Sequence, residues 1–146
     1  MEIRLTLSLP RDRSTVPLTR RVLDAALGVF SVTRDCRDDI GLAVGEACAN
    51  AVQHADLGAD YQVTVTIHED RCVIDVLDDG IGMSSMDTDM DTDPTDAAEA
   101  AVDAESGRGL RIIHALADMV ELRRRQPHGV ALRIVKMLTR VTPATA

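Results

Sequence analysis

At 146 residues the chain suits one domain that buries about two-thirds of its unfolded surface. Its apolar side chains are aliphatic, with one Phe, one Tyr and no Trp, which argues against a nucleic-acid surface built on stacked aromatic rings. The formal charge of −8 is local: eight carboxylates and no Lys or Arg lie between Met83 and Ser106, so sixteen acids face sixteen bases elsewhere, and no basic footprint for DNA results.

In chain order, Ile3, Leu5, Leu7 and Leu9 alternate with polar residues, so residues 2–9 read as a half-buried strand ending at Pro10. This start has no apolar core of the signal-peptide kind. Thr15-Val16-Pro17 marks a helix start, after which Leu18, Val22, Ala25, Ala26 and Val29 repeat at helical spacing to Phe30. A second helix fits roughly residues 35–55, with Ile40, Val44, Ala47 and Ala51 as its apolar stripe, and residues 57–60 break it. Val63, Val65 and Ile67 alternate, Glu69-Asp70 turns the chain, and residues 72–78 form the second arm of an antiparallel hairpin.

After the acidic stretch, residues 109–117 read as a short helix with Leu110, Ile113, Leu116 and Ala117 inward. Residues 119–125 and 129–138, joined by Gln126-Pro127-His128, make a final hairpin. Antiparallel strands with helices on one face predict an α+β two-layer sandwich. Cys36, Cys48 and Cys72 are odd in number and form no C-x-x-C pair, so they read as reduced thiols. No segment reaches the length of a membrane span. A soluble cytoplasmic protein is the expectation.

Three short stretches carry candidate chemistry. In GEACANAVQH, residues 45–54, Glu46, Asn50 and His54 climb one side of the second helix, away from the stripe of Ile40, Val44 and Ala51. The Asn50 oxygen could ligate a hard cation such as Mg²⁺, and Glu46 could take a proton from a nearby nucleophile; a plain solvated helix face accounts for the same spacing. His54, near the helix end, fits a partner of the C-terminal dipole.

The second stretch, Asp78-Asp79-Gly80-Ile81-Gly82, follows a strand. Its glycines allow close backbone approach to a flat ligand, and Asp78 could accept from an exocyclic amine while repelling a carbonyl in that place. A tight turn is the alternative. The third, Ser106-Gly107-Arg108-Gly109-Leu110, opens a helix where converging N–H groups and the Arg108 charge could hold phosphate, or where glycines merely cap and restart a helix. A Walker-type phosphate loop, a full dinucleotide fingerprint, a zinc pattern and a nucleophile elbow are all absent from the sequence.

In this order and context, EACANAVQHA, DDGIG and GRGLRII resemble the N, G1 and G2 boxes of the GHKL ATPase superfamily. Within it the chain is most similar to bacterial anti-sigma-factor serine protein kinases, over nearly its whole length. The Asn50–Ala55 ending, N-x-x-x-H-A, differs from that of histidine kinases. The resemblance implies a single domain over residues 1–146, with helices on a mixed, mostly antiparallel sheet and a mobile lid at about 83–106. It implies ATP and Mg²⁺ as cofactors, with Glu46 as general base and Asn50 as the metal ligand at the phosphates. Asp78 would read the adenine amine beside Gly80 and Gly82, and Gly107, Arg108 and Gly109 would lie at the phosphates.

The implied partners are a sigma factor held inactive, a phosphorylated anti-anti-sigma protein of the STAS type, and a second copy in a homodimer, with Arg20 and Arg21 as candidate contacts. A nucleotide-gated regulator without phosphotransfer and a stand-alone histidine-kinase-like ATPase domain are the alternatives. One departure stands out: where the family often has Gly-Thr entering the last strand, this chain has Gly129-Val130. Loss of one such hydrogen bond costs about 0.5–1.5 kcal/mol, up to about tenfold in affinity.

The acidic DTDMDTDPTD, residues 87–96, falls between the second and third stretches. Asp87, Asp89 and Asp91 mimic the start of a calcium loop, but the sixth position is Thr92 and the twelfth Ala98, so the EF-hand pattern fails. Asp93-Pro94-Thr95-Asp96 reads as the start of a marginal Ala-rich helix, preceded by a stretch expected to be disordered without ligand. The charge is read as holding the lid open and solvated.

Overall fold

The computed structural model describes residues 2–53, 60–78, 104–124 and 129–141. Strand β1 (Ile3–Leu9) leads to helices α1 (Thr15–Val29) and α2 (Arg34–Gln53), then strands β2 (Tyr61–Ile67) and β3 (Arg71–Asp78). Helix α3 (Ala104–Leu116) precedes strands β4 (Met119–Arg124) and β5 (Val130–Met137). The strands form one five-stranded sheet in the order β1-β2-β3-β5-β4. Every pairing among them is antiparallel, so the two-layer α+β sandwich holds and the parallel component of a mixed sheet does not occur among the described strands. β3 and β4 do run in the same direction, but β5 lies between them and pairs antiparallel with both.

The alternation read from the sequence becomes rows across the sheet. Leu7, Val63, Val76, Leu132 and Leu122 stand in one register row, and Leu5, Val65, Ile74, Ile134 and Val120 in the next. Their inner members are buried in the core that α1, α2 and Ile113 of α3 cover. Burial of each such aliphatic side chain contributes about 1.5–3 kcal/mol. The following row, Leu9, Tyr61, Asp78 and Val130, puts a carboxylate where the pattern otherwise has an apolar group.

α2 buries the expected Ile40, Val44, Ala47 and Ala51, joined by Cys36, Ala43 and Cys48. Thr33 caps its start, with the Cys36 N–H donating to Thr33 Oγ1 at 3.4 Å. α1 differs from the sequence reading. Its buried row is Thr15, Thr19, Leu23 and Leu27, while Leu18 is 51% and Val29 79% exposed. The reason lies in the hydroxyls: Thr15 Oγ1 donates to the Asp12 carbonyl at 2.6 Å, and Thr19 Oγ1 to the Thr15 carbonyl at 2.8 Å. With its hydroxyl satisfied, threonine packs as a small β-branched residue, and polarity alone misplaces it.

α1 ends in a Schellman turn: Val32 N–H donates to Leu27 O at 3.2 Å and Ser31 N–H to Gly28 O at 3.1 Å, with Ser31 at φ 60. Arg140 then reaches back to three carbonyls, those of Phe30, Glu69 and His68, at 3.0, 3.0 and 3.2 Å. It ties the end of α1 to the β2–β3 turn.

The opposite face of the sheet carries no helix among the described residues. Arg4, Thr66, Arg71, Asp75, Glu121 and Arg133 help line a shallow open cavity of about 610 Å³ there. Arg133 Nε donates to Asp75 Oδ1 at 2.7 Å, an ion pair that also holds the Arg133 guanidinium above its ordinary pKa. No described helix is long and apolar enough to cross a membrane.

Candidate nucleotide site

Glu46 and Asn50 stand one turn apart on α2, both half-buried. The core takes the neighbouring stripe, so this pair turns toward α3, which packs on α2. Gly109 of α3, itself buried, lies against this pair. A Cβ at Gly109 would stand 3.1 Å from Glu46 Oε2, 3.3 Å from Asn50 Oδ1 and 3.4 Å from Asn50 Nδ2. The carboxylate and the carboxamide therefore converge on one point, and the missing side chain is what leaves them room. The sequence pointed to this glycine as a phosphate contact; its packing role was legible only once α3 lay against α2.

α3 begins at Ala104, five residues ahead of the expected start at 109. The amides of residues 108 and 109 therefore lie inside the helix, where the helical ladder engages them. The converging N–H groups read from Ser106–Leu110 are thus not a free helix terminus in this structure. Gly107 lies within α3, and Arg108 is exposed on it. Gly80, Gly82, His54 and residues 83–103 of the acidic stretch lie outside the described residues, as does the turn at residues 126–128.

Asp78 closes β3 with 8% of its surface exposed. Arg11, in the turn after β1, forms an ion pair from Nη2 to Asp78 Oδ1. Sequence reasoning missed Arg11 because nothing in Leu9-Pro10-Arg11-Asp12 marks it; the contact spans 67 positions. Asp12 prepares the turn: the Ser14 N–H donates to its Oδ1 at 2.9 Å. That hydrogen bond holds the Asp12 carboxyl below its ordinary value.

Beside Asp78, Tyr61 is fully buried, and its hydroxyl lies 2.6 Å from Thr15 Oγ1. Because the Thr15 proton already goes to the Asp12 carbonyl, Tyr61 is the donor. Burial pushes the Tyr61 hydroxyl up to about 12 and the Cys48 thiol up to about 11. Cys72 rises to about 12, also through burial. These thiols stay protonated at neutral pH, as reduced core residues should, and they are poor nucleophiles.

The donor set fits a magnesium-bound nucleotide. Mg²⁺ keeps several waters and takes one or two protein oxygens together with phosphate oxygens, so a single carboxamide beside a carboxylate suffices without a protein cage. The Asp78 carboxylate has oxygens that accept hydrogen bonds, as an amino group would require.

The fold and this arrangement define a two-layer α+β domain with a carboxylate–carboxamide pair on a central helix. The chain belongs to the histidine kinase-like ATPase family, whose description matches residues 9–136. Among its relatives, Serine-protein kinase RsbW of Halalkalibacterium halodurans is 33% identical over 141 residues, covering 93% of this chain and 84% of that kinase. The protein of the same name from Listeria monocytogenes is 33% identical over 129 residues, 84% of this chain and 80% of its own. That of Bacillus subtilis is 28% identical over 138 residues, 92% and 85% respectively. In three dimensions the SiaB–SiaC complex from Pseudomonas aeruginosa contains a chain with a TM-score of 0.67 and 18% identity, covering 90% of this chain and 88% of that one. That likeness establishes the fold. The resemblance to GHKL-type serine protein kinases is thereby borne out, and family and relatives together support an ATP-dependent kinase activity.

Proposed function

We propose that this protein is a Mg·ATP-dependent serine/threonine protein kinase and anti-sigma factor. It would sequester a sigma factor and transfer phosphate to a STAS-type anti-anti-sigma protein, acting as a single domain in a cytoplasmic homodimer. The observation that carries the reading is the convergence of Glu46 Oε2 and Asn50 Oδ1, both within 3.3 Å of one point at Gly109. The kinase relatives, matched over most of their length, support it.

Magnesium-bound ATP would supply the transferable phosphoryl group and the divalent charge that offsets its oxygens. Asn50 offers the hard oxygen that orients the metal. Glu46, one turn away, is placed to hold the proton of an incoming hydroxyl. Asp78 would accept from the 6-amino group of adenine, with Gly80 and Gly82 the residues that the family resemblance assigns to the base. The exposed guanidinium of Arg108, near the start of α3 with Gly107 and Gly109, offers a charged contact to phosphate. Arg20 packs along Gly41 and Gly45 of α2, its Cδ 3.0 Å from where a Gly45 Cβ would stand.

Glu46→Gln tests the reading. Radiolabelled transfer to the cognate STAS protein is expected to fall at least about a hundredfold, with Mg·ATP affinity within about threefold of wild type. A wild-type protein that binds Mg·ATP and a sigma factor but transfers no phosphate would favour the nucleotide-gated regulator instead. Val130, without a hydroxyl at the position facing Asp78, is the observation that keeps that second reading in view.

A further inference from the structure

Arg11 is the buried cation that the sequence did not mark. Its side chain is 4% exposed, although it leaves from a surface turn, and its Nη2 is paired with Asp78 Oδ1. A guanidinium is rarely covered to that degree without a charged partner, and a carboxylate in a sheet's inner row equally requires one. The two cross-strand neighbours of Asp78 on that face supply little. Tyr61 donates its hydroxyl proton to Thr15, and Val130 has no polar group to offer.

We propose that Arg11 is a positioning and specificity residue: its guanidinium holds the Asp78 carboxylate in place and aimed, and so sets a preference for a 6-amino purine over a 6-oxo purine. The inference rests on the reading of Asp78 as the base contact.

An ionised carboxylate only accepts hydrogen bonds, whereas a protonated one also donates. Ionised Asp78 therefore accepts from the amino group of adenine and repels the carbonyl of hypoxanthine or guanine. A protonated Asp78 would tolerate either. A carboxylate offers about four acceptor sites, so a guanidinium at Oδ1 does not by itself exhaust it. Without the guanidinium at Oδ1 the carboxylate loses the contact that aims it, and the discrimination falls. A hydroxyl neighbour could aim the carboxylate but not balance its charge; arginine does both.

The experiment displaces a fluorescent nucleotide from the full chain with ATP and, separately, with inosine triphosphate, its 6-oxo counterpart, and follows thermal unfolding without nucleotide. Arg11→Gln is expected to lose about tenfold or more in ATP affinity while inosine triphosphate changes by less than about threefold. Arg11→Lys, which keeps the charge, should hold the ratio of the two affinities within about threefold of wild type. An equal loss for both nucleotides in Arg11→Gln would reduce Arg11 to a structural clamp. Tighter ATP binding would make it a competitor for Asp78. Either result overturns the proposal.

If Arg11→Gln does not fold, Arg11→Lys decides: a retained ratio supports the assignment and a tenfold fall, roughly, overturns it. Asp78→Asn separates this inference from the reading beneath it. If Asp78→Asn leaves the ratio unchanged, Asp78 does not read the base. If it shifts the ratio and Arg11→Gln does not, only the role of Arg11 is lost.

Discussion

Gly109→Ala sets two physical effects against each other, and the structure indicates which dominates each readout. Inside α3, alanine is favoured over glycine by about 0.8–1.0 kcal/mol through backbone entropy. Its methyl group would stand 3.1 Å from Glu46 Oε2 and 3.3 Å from Asn50 Oδ1, closer than ordinary contact. These atoms end flexible, half-buried side chains, so they can retreat by a few tenths of an ångström. Folding is therefore expected to be unchanged or improved by at most about 1 kcal/mol, a rise of up to about 4 °C in Tm. The proposed site fares worse, because a pair acting in catalysis must sit within about 0.5 Å of its productive geometry and a displacement of about 1 Å can cost about a hundredfold. Mg·ATP affinity should fall about tenfold and phosphotransfer by more. Calorimetry with and without nucleotide, followed by a transfer assay, measures both. A variant that binds and transfers like wild type would show that the Glu46–Asn50–Gly109 convergence is not the site. A destabilisation above about 2 kcal/mol would show that the two side chains cannot yield, against the packing argument.

Other parts of the molecule give sharper tests of stability. Ser31→Gly relieves an L-residue held at φ 60 and should stabilise by about 0.5–1 kcal/mol in urea unfolding, with no effect on nucleotide binding. Tyr61→Phe removes the donor of the buried 2.6 Å contact with Thr15 and should cost about 1–2 kcal/mol; a neutral result would mean that the hydroxyls find equal partners elsewhere. Arg140→Ala frees the carbonyls of Phe30, Glu69 and His68. Since Arg140 is exposed, water can replace it, and a loss of only about 1 kcal/mol is expected. Alkaline pH should destabilise the fold. The thiols of Cys48 and Cys72 rise from 9.0 to about 11 and about 12, and the Tyr61 hydroxyl from 10.0 to about 12. Above about pH 9 the unfolded chain releases these protons first, so the native state holds more protons and stability falls with rising pH. Urea midpoints should be flat below about pH 9 and decline by about pH 10.5; a midpoint constant across that range would contradict the burial argument.

Period and spacing were enough for much of this molecule. The alternation of Leu5, Leu7 and Leu9, and of Val63, Val65 and Ile67, specifies half-buried strands wherever they pair, because a one-residue slip would turn every apolar group to water. The stripe of Ile40, Val44, Ala47 and Ala51 likewise settles which side of α2 is covered. It leaves Glu46 and Asn50 on a side free for chemistry. These are local facts, written in the distance between neighbours along the chain.

What needed the third dimension is everything that depends on which distant segment arrives. α1 buries Thr15 and Thr19 in place of Leu18 and Val29, since Asp12, Tyr61 and the helix backbone satisfy the hydroxyls. β5 enters between β3 and β4, which brings Val130 opposite Asp78. Gly109 meets Glu46 and Asn50 only because α3 packs on α2. Arg11 reaches Asp78 across the sheet from a turn with no motif of its own. Periodicity reports whether a side chain is covered; it carries no information about what covers it, and the partner of a buried carboxylate is decided by that second fact.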